Sequence, residues 1–252
     1  KFVEGIRGCT DRIRQLREES VHGAVPTISM ERAVLLTEAY QQYEGTCSIT
    51  VLRGKAFYYL MAHRTLYLGR GSLIVGEKGP KPWAAPTFPE LCCHTLEDFD
   101  TLNSRERVFF RVTDEDKRIQ RDVIIPYWAM LTKMNGLLPR AWQKLFAAGM
   151  FTEFLQQRGP GHTVADGKIY WKGYGDFLRD IQERLASLDF NNDMDALEKR
   201  DEWEGMAWVC RGMILLGKRY AALARDMAAK EKDPAWRRDL LDIAAVCDVV
   251  PE

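Results

Sequence analysis

From Met194 to Met227 large apolar side chains return every three or four residues: Met194, Leu197, Trp203, Met206, Val209, Met213, Leu216, Tyr220, Leu223 and Met227. That period is close to the 3.6 residues of a helical turn, so the segment is predicted to be one long helix with an apolar stripe. Glu198, Lys199, Asp201, Glu202 and Glu204 fill its other face early on, and Asp193 is placed to cap it. Pro234, which fits a first helical turn, opens a further helix to about Val246. Asp176–Leu188 reads as a helix with Phe177, Leu178, Ile181, Leu185 and Leu188 facing inward.

The first half is more mixed. Helical patterns run over Phe2–Ser20, from a cap at Ser29 to about Tyr43, and over Val51–His63. Asp114–Met130 is also helical, but Pro126 should end or kink it. Ser72–Glu77, a β-branched run between glycines, is predicted to be a strand. Lys78–Pro89 holds four prolines and is predicted irregular. Arg158–Gly175 holds five glycines and reads as an ordered loop. The result is a mostly helical chain with few short strands and long connections, of the kind that usually carry function or pack against something.

Composition narrows the classes. The 252 residues carry 36 Lys+Arg and 36 Asp+Glu, a formal net charge of +0, which disfavours whole-chain nucleic-acid binding. Hydrophobic residues at 46% and charged residues at 29% fit a globular protein and not a disordered one. Apolar runs are short, as at Met213–Leu216, so no membrane span is expected. No secretory pattern opens at Lys1–Cys9, and the first residue is not Met. Cys9, Cys47, Cys92, Cys93, Cys210 and Cys247 show no C-x-x-C spacing and are expected to be reduced, in a cytoplasmic protein.

Generic motifs give little. Gly71–Gly76 has phosphate-loop spacing, but Glu77 stands where Lys is needed; Gly212–Gly217 is followed by Lys218-Arg219 within a helical pattern. Cys92-Cys93-His94 could suggest a metal, yet adjacent cysteines do not readily share a tetrahedral ion, and buried structural thiols are the simpler expectation. Arg158-Gly-Pro-Gly-His162-Thr is the segment that stands out. Two glycines admit close backbone approach and Pro160 stiffens the turn. Arg158 and His162 could present a cation and a hydrogen-bond donor to one small polar ligand. The same spacing also fits two side chains that simply tie the loop to its neighbours.

The stretch from Phe151 through Arg158-Gly-Pro-Gly-His162 to Tyr170 resembles a loop of glycyl radical enzymes in the pyruvate formate-lyase superfamily, in the branch of dehydratases and sulfonate-cleaving sulfite-lyases. Arg12–Ser20, Ile28–Ala33, Ile74–Gly79, Ala85–Thr95, Ile125–Trp128, Leu216–Tyr220 and Cys247–Pro251 resemble further blocks in collinear order. The resemblance implies an amino-terminal portion, residues 1–252, of a pyruvate formate-lyase-type domain. It implies a helical shell and one wall of the family's ten-stranded α/β barrel. The family's Gly-Cys-x-Glu loop and its Arg-Val-x-Gly-Tyr-type loop do not occur here; Gly8-Cys9 is followed by Thr10-Asp11.

For the complete enzyme the resemblance implies a lyase that eliminates water or sulfite from a small hydroxylated substrate by a thiyl-radical mechanism. The glycyl radical is installed by an activating enzyme that uses S-adenosylmethionine and an iron–sulfur cluster. Such an enzyme works without oxygen, in the cytoplasm or within a bacterial microcompartment, as a homodimer. This chain alone is expected to be inactive and to bind no cofactor or metal. In the dehydratase branch the residue matching His162 hydrogen-bonds the substrate hydroxyl, and in isethionate lyases the residue matching Arg158 approaches the sulfonate. Those isethionate lyases carry Gln where His162 stands, which argues against isethionate. Trp171 replaces the Lys expected beside Tyr170, where it either shapes the pocket or packs. The alternative is a non-catalytic helical binding or scaffold protein derived from that family.

Overall fold

The computed structural model describes residues 10–19, 23, 25–107, 109–131, 140–148, 150 and 166–252. Among these, helices dominate: α1 (Asp11–Glu18), α2 (Glu31–Tyr43), α3 (Ile49–His63), α4 (Leu96–Ser104), α5 (Asp114–Ile119), α6 (Ile125–Leu131), α7 (Arg140–Ala147), α8 (Tyr174–Ala186), α9 (Ala196–Lys230) and α10 (Pro234–Val249). Two three-residue strands, β1 (Thr27–Ser29) and β2 (Ala84–Pro86), pair in parallel with Thr27 opposite Ala84. Arg111 bridges to Thr27 on the other side, its amide donating to the Pro26 carbonyl at 2.7 Å.

Local chemistry sets the helix starts. The Ser48 hydroxyl accepts from the Val51 amide at the head of α3. Thr95 with Asp98, and Thr113 with Asp116, form reciprocal capping boxes at α4 and α5. Asp233 caps α10, with Pro234 at its first position. The long helix begins at Ala196; Asp193 sits one turn earlier and binds the Asp195 amide and Lys199 Nζ, so it orders the approach and does not cap α9 itself.

α9 is the axis of the fold, packed by α3, α8 and α10. The face it buries takes in part of the predicted stripe, with Tyr220 buried and Trp203, Leu216, Leu223 and Met227 packed against the cores, but small residues make its closest contacts. Ala207, Gly205, Gly212, Gly217, Ala221 and Ala224 are buried, whereas Met206 and Leu197 are exposed and Met194 is fully exposed at 101%. Several helices can share one axis only where its side chains are small. At Gly54 on α3 a Cβ would come 2.4 Å from the Gly205 carbonyl oxygen; at Gly217 it would come 2.8 Å from the Cys247 carbonyl of α10.

The core has three parts. The first gathers α2, α4 and α6 around Phe99, Ile124, Trp128 and Leu36, with the Trp128 indole N–H donating to Thr37 Oγ1 at 2.8 Å. The second lies between α9 and α10 around Tyr220, Trp236 and Leu240. The third joins α8 to α9 through Ile181, Ala207 and Cys210, the last a buried thiol as expected.

Three expectations are corrected. Ser72–Glu77 forms no strand, because no described segment offers it a ladder partner. β2 falls inside the stretch expected to be irregular. Pro126 does not end its helix: Gln120–Ile124 winds as a π-turn, with the Ile125 amide donating to Gln120 five residues back. The wider turn spares the proline ring its usual clash with the carbonyl four residues earlier.

Candidate functional site

Arg158 and His162 lie outside the described residues, as does Phe151–Leu155. What is described is the frame on the exit side of their loop. A 3-10 turn over Asp166–Tyr170 leads to Trp171, which is 87% exposed, beside Tyr170 at 78%. Trp171 therefore does not pack into the described core.

Beyond it the backbone is pinned. The Tyr174 amide donates to the Pro251 carbonyl at 2.9 Å, and the Gly175 amide to the Glu252 carbonyl at 3.3 Å. A Cβ at Gly173 would stand 2.0 Å from the Glu252 oxygen, so only glycine fits there. The Gly173 amide also donates to Asp176 at the start of α8. Lys172 pairs with Asp180, whose carboxyl it holds below the usual carboxylate range. Burial raises the Tyr174 phenol, which faces Phe177 in the α8–α9 core. The backbone is thus hydrogen-bonded at three consecutive amides, 173–175.

Two other clusters could carry chemistry. Residues 73–76 lie against α9 and α10 over an apolar groove of ≈ 670 Å³, whose wall includes Tyr220, Met213, Ile243 and Val246, with Asp239 and Asp242 among its polar members. Tyr220 is buried, and its hydroxyl has no hydrogen-bond partner among the described residues. Burial raises this phenol, offset in part by the positive charge of Arg64. No sequence signal marked this groove, since its walls come from three separated segments.

The second cluster is the 92–98 turn. Cys92 and Cys93 are half-buried rather than buried, and Cys93 packs against the first core. His94 Nδ1 stands 3.9 Å from Cys92 Sγ and 3.6 Å from Asp98 Oδ2. Gln120, buried in the π-turn, donates to the His94 carbonyl at 2.6 Å and fixes the turn's backbone. No group of three or more ligating side chains that could hold a metal occurs among the described residues. None of the described helices is long and apolar enough to cross a membrane.

This helical arrangement is that of the glycyl radical enzymes. Over 97% of the chain it matches the crystal structure of hydroxyproline dehydratase from Clostridioides difficile with trans-4-hydroxy-L-proline bound, at TM-score 0.89 and 49% identity, covering 31% of that chain. A glycyl radical enzyme from Archaeoglobus fulgidus matches at TM-score 0.81 and 29% identity, over 96% of this chain and 31% of its own. An isethionate sulfite-lyase of Nitratidesulfovibrio vulgaris is 31% identical over 271 aligned residues, 100% of this chain and 33% of the lyase. Residues 9–252 match the family described as pyruvate formate lyase-like, and the chain belongs to that family. It spans about a third of the length of these relatives, 31% and 33% for the two enzymes compared in sequence.

Proposed function

We propose that this chain is the amino-terminal portion of a glycyl radical lyase that removes water from a small hydroxylated substrate, with a hydroxylated cyclic amino acid as the favoured class. The observation that carries this reading is the 49% identity to trans-4-hydroxy-L-proline dehydratase over 97% of the chain, against 31% to the isethionate sulfite-lyase. The barrel core, with its Cys and Gly loops, would lie outside these residues.

The radical, installed by an activating enzyme using S-adenosylmethionine and an iron–sulfur cluster, supplies hydrogen abstraction from an unactivated carbon. This chain's part is binding and enclosure. His162 would hydrogen-bond the substrate hydroxyl and hold the proton that its departure as water requires. Arg158 would pair with the substrate's anionic group. The pinned backbone at 173–175 would fix the chain that follows these two residues, while the complete enzyme would shut out solvent, which quenches radicals. Cytoplasmic location and a homodimer belong to the same reading.

The test is the full-length protein, activated without oxygen and offered trans-4-hydroxy-L-proline, glycerol and isethionate separately. The reading expects consumption of the hydroxyproline and no sulfite from isethionate. His162→Ala should lower turnover by roughly 10²-fold. Sulfite release without loss of hydroxyproline would overturn the substrate class. Absence of a glycyl radical signal after activation would favour the scaffold alternative.

A further inference from the structure

The 92–98 turn holds two adjacent thiols in unlike settings. Cys92 Sγ faces the His94 imidazole at 3.9 Å; Cys93 turns onto the first core, whose buried members include Phe99, Ile124 and Trp128. Burial, and then the charge of Cys92, raise the Cys93 thiol and keep it protonated. His94 is raised in the opposite sense of its own burial, first by the hydrogen bond with Cys92 and then by Asp98. Among the described residues the titratable groups facing the ring are Cys92 and Asp98, and from the π-turn the neutral amide of Gln120 reaches the turn, at the His94 carbonyl. Both Cys92 and Asp98 meet the same nitrogen, Nδ1, so the array is not a proton relay. It is an imidazole whose protonated form both neighbours favour, 3.9 Å from the Cys92 sulfur, and positive charge at that place favours thiolate over thiol.

We propose that Cys92 is a nucleophilic thiol activated by His94, and that it is a site of reversible thiolation by low-molecular-weight disulfides. The Cys92 thiolate attacks one sulfur of the disulfide, a new sulfur–sulfur bond forms, and the second half leaves as a thiolate. No net electrons are gained or lost beyond that exchange, and excess free thiol reverses it. Cys93, protonated and turned onto the core, does not compete. The inference does not depend on the lyase reading.

The experiment uses the full-length protein and the disulfide reagent DTNB, with labelled peptides quantified by mass spectrometry. Cys47 is the internal reference: it is also half-buried, but its sulfur faces the Tyr43 carbonyl and the Thr46 hydroxyl and has no imidazole. At about pH 6 Cys92 should react about tenfold faster than Cys47, with the advantage shrinking toward about pH 9, because an imidazole partner matters most where free thiols are protonated. His94→Gln should remove the advantage. Equal rates at low pH, a Cys92 rate that climbs with pH as that of Cys47 does, or no labelling of Cys92 in the native protein would each overturn the proposal. The wild-type pH comparison decides alone should His94→Gln fail to fold.

Discussion

Gly54 and Gly205 face each other across the seam between α3 and α9, and neither has room for a side chain. A Cβ on Gly54 would come 2.4 Å from the Gly205 carbonyl oxygen, and one on Gly205 would come 2.9 Å from the Thr50 carbonyl. The two helices are therefore in backbone contact. The seam sets where α3 lies and, through α3, where α2 and the first core lie, since α2 also packs on α3.

Gly54→Ala should consequently destabilise the full-length protein by about 1–3 kcal/mol, the usual cost of forcing a methyl into a filled contact. Gly205→Ala should behave alike. Gly167→Ala is the control, since no described residue lies within 4 Å of the added carbon, and it should stay within about 0.5 kcal/mol of wild type. Urea midpoints at constant slope measure all three. A Gly54→Ala protein as stable as the control would show that the seam is looser than described.

Arg32 ties α2 to the segment after β2. Its guanidinium forks onto the Glu90 carboxylate, donates to the Thr87 carbonyl at 3.2 Å and lies 4.0 Å over the Phe88 ring. Both partners are mostly buried, at 19% and 22% exposure. Arg32→Lys keeps the charge but loses the fork, and should cost about 1–3 kcal/mol. In a double-mutant cycle with Glu90→Gln the losses should fall short of additive, because the second change removes a bond already broken. Additive losses would mean that the two side chains act separately.

The helix start at Pro234 was legible because its signal is local, but Ser29 and Asp193, read as caps, are not the capping residues: Met30 precedes α2 with no side-chain cap bond and Asp195 precedes α9. Features that depend on a distant neighbour were not legible. Ser72–Glu77 has strand-forming residues, yet a strand needs a ladder partner and none is described, while β2 forms from Ala84-Ala85-Pro86 only because Thr27–Ser29 lies beside it. The buried face of α9 was read only in part, for a related reason: Tyr220, Leu216, Leu223 and Met227 do face the second core, but the small residues beside them went unmarked. Periodicity finds large apolar residues, but a helix gripped by three others buries its glycines and alanines and pushes residues such as Met206 outward. Pro126 gave the right local rule; the π-turn before it, unmarked in the sequence, accommodates the ring. Of the candidate site, Arg158 and His162, which lie outside the described residues, were singled out by loop chemistry and family likeness. The 173–175 anchor was not, because its partners, Pro251 and Glu252, lie some seventy-five residues downstream.

His94 makes stability depend on pH. Its folded value is raised, first by Cys92 and then by Asp98, against an opposing effect of burial. A group raised on folding contributes stability that is fully present below its unfolded value and is lost as pH rises through the folded one. Wild type should therefore gain on His94→Gln as pH falls from about 8 to about 5.5, across the histidine range. A stability difference between the two proteins that stays flat over that interval would remove the imidazole's charge from the balance.

The apolar surface of the isolated chain distinguishes an enzyme portion from a free-standing scaffold. Ile74 is 86% exposed, Val250 70% and Val246 56%, and all three line the groove between α9 and α10. Single exposed apolar residues are ordinary; a contiguous set flanking an open groove is a surface that another body covers. In the lyase reading that body is the remainder of the polypeptide, so residues 1–252 produced alone should associate and should brighten a dye specific for apolar patches. Replacing Ile74 and Val250 with Ser should reduce both signals without shifting the helical circular-dichroism signal, since neither side chain is in the core. A monodisperse, dye-silent chain with one sharp thermal transition would instead support the scaffold alternative.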